Sequence, residues 1–209
     1  MESRIDNPTF TIDLKRDQDY SLAQNAEVIT VSNNQLLQID GYNVCLHKPT
    51  KDGDYKVNKF LFGGEQEGLP KDLQNVTSVN VFVPETDSVK LIVRVCVAMV
   101  FNNETINLAL YFVEDTENWS IYLYMEDFEH VGKIREVIDI FNCTDPLELS
   151  FNHDALFKIQ LENLNSQIEE AATSYLYSKY DLWTRITRWV QELFSLPQGL
   201  RNSHFAPFF

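Results

Sequence analysis

The sequence is short of most of the parts from which common sites are built. It has three cysteines and four histidines in 209 residues, seven glycines and seven prolines. Three cysteines far apart exclude a disulfide scaffold. Seven glycines exclude collagen-like sequence. His47, His130, His153 and His204 form no pair at metal-ligand spacing, so no metal centre is expected. No P-loop, GxGxxG or GxSxG occurs, and Gly63, Gly64 and Gly68 stand in an acidic stretch of the wrong sign to cradle a phosphate. No nucleotide or other cofactor is expected. The longest apolar run, Leu91 to Phe101, is interrupted by Arg94 and is far short of the ~20 apolar residues of a membrane span. The first ten residues contain no apolar stretch of the signal-peptide type, so the expected address is cytoplasmic.

Basic residues are also scarce. Lys and Arg number 17 against 31 Asp and Glu, a net charge of -14. Such a surface repels a phosphate backbone, which argues against nucleic acid as a partner. The apolar share, 44%, suffices for a sizeable core and excludes a disordered chain.

Most of the first three-fifths alternates with period two. Phe10, Ile12 and Leu14 share one side of a strand, and 27–32 and 35–47 read as a hairpin about Asn33-Asn34. Tyr55 to Phe62, Thr77 to Val83, Ser88 to Phe101, Thr105 to Val113 and Trp119 to Met125 follow, the last three joined by short polar turns. Turns this short permit only antiparallel neighbours. The expected buried face holds Val89, Leu91, Val93, Val95, Val97, Leu108 and Leu110, or their alternates. Residues 63–70 read as a mobile loop.

The period then changes. Phe128, Val131, Ile134, Val137, Ile138 and Phe141 recur every three or four residues behind a candidate cap at Asp127, which predicts a helix over 127–141. Leu147 to Phe151 suggests one short strand. A second helical pattern runs from Asp154 to Leu196 with neither Gly nor Pro inside it, and its length predicts a break near Ser178 to Asp181. The expected fold is α+β in one domain, 1–209: an antiparallel meander in 1–125, then helices over 126–209 packed on one face, with a C-terminal helix that could protrude.

Charge is uneven. Residues 102–150 hold eleven acids against Lys133 and Arg135 alone. Glu114, Asp115, Glu117, Glu126, Asp127 and Glu129 form an unbroken acidic series. Acids suit turns and helix starts, and concentrated charge of one sign also steers a basic protein partner. Further on, Trp183, Arg185, Arg188 and Trp189 combine the residue types most often found at interface hot spots. Phe205, Phe208 and Phe209 offer an aromatic tail for self-association. Cys45 and Cys96 read as small buried hydrophobes. Sequons occur at Asn75, Asn103, Asn118 and Asn142.

No catalytic constellation emerges, and the expected function is a non-catalytic acidic binder, inhibitor or adaptor. A carboxylate-dependent enzyme using Glu169 or Glu170 is the alternative, and a self-assembling structural protein the third. Three fragments bear on the enzyme reading: Asn103-Glu104-Thr105-Ile106, Gly132-Lys133-Ile134-Arg135-Glu136 and Glu170-Ala171-Ala172. Together they resemble pieces of the ribosome-inactivating N-glycosidases over a minority of the chain. That resemblance implies base removal from an adenine. The family's Arg after Glu-Ala-Ala is Thr173 in this chain, and its stacking Tyr falls near Phe101, so the departing base would lose its stabilisation.

Overall fold

A computed structural model describes residues 8–21, 28–34, 37–50, 53–62, 69–87, 89–101, 104–115, 118–124, 131–142, 156–159 and 161–195. The chain divides into two compact units, residues 1–169 and 170–209.

The first unit is a mixed α+β structure dominated by one nine-stranded sheet. Its strands are β1 (Thr9–Asp13), β2 (Ile29–Asn33), β3 (Tyr42–Pro49), β4 (Tyr55–Leu61), β5 (Leu73–Pro84), β6 (Ile92–Phe101), β7 (Glu104–Asp115), β8 (Asn118–Tyr124) and β9 (Leu156–Ile159). Helix α1 spans Val131–Asn142, and α2, Leu164–Ser195, begins in this unit. Strands β5 to β8 form the expected antiparallel meander.

Strand β5 forks the sheet. Its Val76 pairs with Tyr55 of β4 and Val97 of β6, while Val79 pairs with His47 of β3 and Val95 of β6. Strands β3 and β4 therefore share one edge of β5 end to end. Two irregularities bend β5 where the branches part, and Asp72 and Asn75 both take φ 56. Bulging leaves backbone groups outside the ladder. The Asn165 side chain serves two of them, donating to Asp72 O (3.0 Å) and accepting from Gln74 N (3.3 Å).

Bending also carries β4 back across the sheet, so that Phe60 meets Phe112 of β7 at 5.8 Å between ring centres and Phe62 meets Trp119 of β8 at 6.3 Å. The enclosed layer holds Ile12, Tyr55, Val57, Leu73, Val79, Val95, Leu110 and Leu123. The opposite face is covered as well: Phe82, Ile92, Tyr111 and Val113 pack with Ile134, Val137, Ile138 and Phe141 of α1. Both alternations of the strong β segments are thus buried, because each face has its own cover.

Several expectations are corrected. The sheet is not wholly antiparallel: β1 pairs parallel with β4, since β3 and β4 both run antiparallel to β5 and the chain therefore reverses only twice, into β2 and into β3, between β1 and β4. That hairpin does not turn at Asn33-Asn34; its strands pair from Ile29↔Pro49 to Asn33↔Cys45, and the link runs through 34–41. The helix expected from Asp154 begins only at Leu164. Residues 156–159 instead form β9, which satisfies the outer edge of β8 from Ile121 to Tyr124, a tertiary pairing that overrides a local period. Asn163, at φ 58, turns the chain, and its carbonyl accepts the bond of Gln167 N that opens α2. No break occurs at 178–181, where α2 is continuous, in keeping with the absence of Gly and Pro. The helix start at Asp127, the strand at 147–151 and residues 63–68 lie outside the described residues. In the second unit α2 runs on to Ser195, with Tyr177 and Ile186 exposed.

Candidate functional site

The two residue groups singled out by charge and composition are only partly described. Glu114 is half-buried on β7 opposite Trp119, and its N–H donates to Leu91 O at 3.0 Å. Asp115 ends β7 opposite Asn118. The Asp115 side chain, and Glu117, Glu126, Asp127 and Glu129, lie outside the described residues. Trp183, Arg185, Arg188 and Trp189 are all on α2, with side chains outside the description. The aromatic tail is likewise outside it. Glu169 and Glu170 are both exposed on α2, where neither is enclosed in a pocket. Among the described residues no three metal-ligating side chains cluster, and no helix is long and apolar enough to cross a membrane.

A polar cleft among the described residues is one that the sequence did not disclose. A cleft of 480 Å³ lies where the 34–41 link meets the start of β3, with Glu85, just past β5, on its rim. Its described lining carries the amides of Asn33, Asn34, Gln38 and Asn43 and the carboxylates of Asp40 and Glu85, with no cationic side chain. The link is held by named bonds: Asn34 N to Val44 O (2.9 Å), Leu37 N to Asn34 O (3.0 Å), Tyr42 N to Ile39 O (3.1 Å) and Glu85 N to Gly41 O (2.9 Å). Asn34 Nδ2 donates to Oδ1 of the buried Asn80 at 3.0 Å. Leu37, Ile39 and Tyr42 anchor the floor in the core beneath α1. The scattered amides of this stretch were the available signal, but amides are common in turns and pointed to nothing.

Gly41 makes the tight return into β3 at φ 83, and a Cβ there would meet nothing within 4 Å. Gly41→Ala is therefore expected to cost about 1 kcal/mol through backbone conformation alone. Urea unfolding checks it; a neutral result would mean that the link relaxes freely.

A ring of hydrogen bonds ties α1 to this region. Asn142 Nδ2 donates to Tyr42 Oη (2.8 Å), Tyr42 Oη donates to Lys90 O (2.8 Å), and Lys90 N donates to Asn142 Oδ1 (3.1 Å). Asn142 Nδ2 also donates to Ile138 O at 3.2 Å. Both amide hydrogens of this sequon are thus spent inside the fold, which opposes a glycan at Asn142.

The buried titratable groups belong to the core. Arg94, the residue that interrupts the longest apolar run, sits in a cross-strand row from Asn80 through Tyr111 to Tyr122. It hydrogen-bonds Tyr111, whose phenol burial pushes up to about 12 against the pull of the guanidinium. Phe141 of α1 covers the row, 5.6 Å from Tyr111 and 4.9 Å from Tyr122. Cys45 and Cys96 are free thiols on β3 and β6, half-buried rather than fully buried as expected. Burial raises the Cys45 thiol, away from nucleophilic use.

Comparison with protein-family models, with curated proteins and with solved structures yields no match.

Proposed function

We propose that this chain is a non-catalytic binding module that takes a basic, hydrogen-bonding segment of another protein. The observation that carries the reading is the cleft beside β3, lined by four amides and two carboxylates on a core-anchored link. Amides can pair with a peptide's backbone, and Asp40 and Glu85 with its Lys or Arg side chains. The net charge of -14 favours encounter with a cationic partner and disfavours nucleic acid. The acidic series about Glu114 would extend the attraction, and the Trp183 to Trp189 stretch of α2 would serve a second contact. Free Cys45 and Cys96 accord with a reducing, cytoplasmic setting.

Fluorescence anisotropy with Lys/Arg-rich peptides and acidic peptides of equal length tests this. Basic peptides are expected to bind, more weakly as salt rises. Asp40→Asn with Glu85→Gln is expected to weaken binding about 5- to 10-fold, as for two rim charges. Equal affinity for basic and acidic peptides would overturn the reading.

A further inference from the structure

Tyr20 joins the segment after β1 to the β2–β3 hairpin. Its backbone makes both bonds of a bridge with Ile29, Tyr20 N to Ile29 O at 3.0 Å and Ile29 N to Tyr20 O at 2.8 Å. One residue earlier, Asp19 Oδ1 accepts from Val31 N at 2.7 Å. Strand β2 pairs with β3 on its other side, so residues 19 and 20 occupy the outer edge of β2. The Tyr20 side chain turns inward and is buried. Its oxygen accepts from Asp13 N at 3.0 Å and lies 3.2 Å from His47 Nδ1. His47 is wholly buried, between Val31 on β2 and Val79 on β5, with Nε2 enclosed and without a hydrogen-bond partner.

We propose that Tyr20 and His47 form an acid-released latch: near neutral pH their bond holds residues 19 and 20 on the outer edge of β2, and acidification frees that cover and exposes the edge.

The proton inventory explains the direction. The phenol oxygen accepts from Asp13 N–H, and the assignment that also gives the buried phenol proton an acceptor directs it to Nδ1 of a neutral ring whose own proton is on Nε2. A second ring proton turns Nδ1 into a donor. The phenol proton then loses its acceptor, and a full positive charge stands in an enclosed apolar layer. The surrounding groups do little to receive it. Strands β2 and β5 present Val31 and Val79. From β3 itself comes Cys45, two residues away, and from β4 Tyr55, a phenol that couples to Tyr20. Asp13 on β1 favours the imidazolium, while Arg16 acts on Tyr20 with positive charge. Burial outweighs Asp13 and lowers the imidazole from 6.5 to about 4. A group lowered on closing disfavours the closed form as pH falls through 6.5 toward 4.

Hydrogen exchange of the full chain, read by mass spectrometry at pH 7 and pH 5 and corrected for intrinsic rates, tests the latch. The opening constant of residues 19–21 and 28–33 is expected to rise about 20-fold over that interval, from one proton taken up at 6.5 when open and 4 when closed. Strands β6 and β7 should change far less. In His47→Leu the rise should vanish. Protection of 19–21 and 28–33 that ignores pH would overturn the proposal, as would an equal loss in β6 and β7, which would mean global unfolding. Should His47→Leu not fold, NMR titration of the His47 ring in the unaltered protein decides: a ring that stays neutral down to pH 5 supports the latch, and one that titrates near 6.5 in the closed state overturns it.

Discussion

Phe112→Ala should lower the unfolding free energy by about 4 kcal/mol, the range for a fully enclosed aromatic that leaves a cavity. Phe112 is wholly buried in the last third of β7 and is where the Phe60 ring of β4 lands after the sheet bends back. Truncation removes more than transfer energy, since it takes away the far side of the contact that holds the β1–β4 arm down. Collapse around the gap is limited, because Ile121 and Leu123 on β8 are themselves enclosed. Guanidinium unfolding followed by circular dichroism gives the number. A loss under 1 kcal/mol would mean that β4 does not pack over β7 as described.

Asn142→Ala should cost about 2 kcal/mol, although the residue is only half-buried and ends a helix. It leaves Lys90 N without its side-chain acceptor and takes from Tyr42 Oη the donor that completes its bonding. Tyr42→Phe breaks the same ring from the other side. The two losses should therefore fall short of adding in the double variant, by about 1 kcal/mol. Full additivity in a double-mutant cycle of urea melts would show that the bonds act independently. The same ring predicts that chain made in a glycosylating host carries no sugar at Asn142 when folded, which mass spectrometry of the intact protein reads directly.

The sequence spoke most clearly where local pattern and tertiary role agree. Val79, Val81 and Val83, and the alternating run from Ile92, give strands because β-branched residues at period two suit a pleated surface, and the few residues that separate β6, β7 and β8 in sequence leave only antiparallel pairing. Ile134, Val137, Ile138 and Phe141 likewise mark the inner stripe of α1. What could not be read is what depends on distant partners. Nothing in Leu156–Ile159 distinguishes a strand from a helical turn until the open edge of β8 is known. Nothing in Thr9–Asp13 says that its neighbour is β4 rather than β2, because the parallel pairing is set by a hairpin placed between them. The cleft was illegible for the same reason. Asn33, Asp40 and Glu85 gain meaning only when the link from β2 to β3 comes to lie beside the end of β5. Arg94 was visible as an interruption of an apolar run, but its row of Asn80, Tyr111 and Tyr122 exists only across four strands.

The parallel pairing of β1 bears on the order in which the chain is made. Thr9–Asp13 leaves the ribosome before the other described strands, yet its hydrogen-bonding neighbour is complete only at Leu61. At ~5–20 residues per second that is a delay of about 2–10 s. Throughout it Phe10 and Ile12, both buried in the finished fold, have no sheet to enter. Strand β1 is thus made early and paired late, and until β4 is complete it offers Phe10 and Ile12 to chaperones and to self-association.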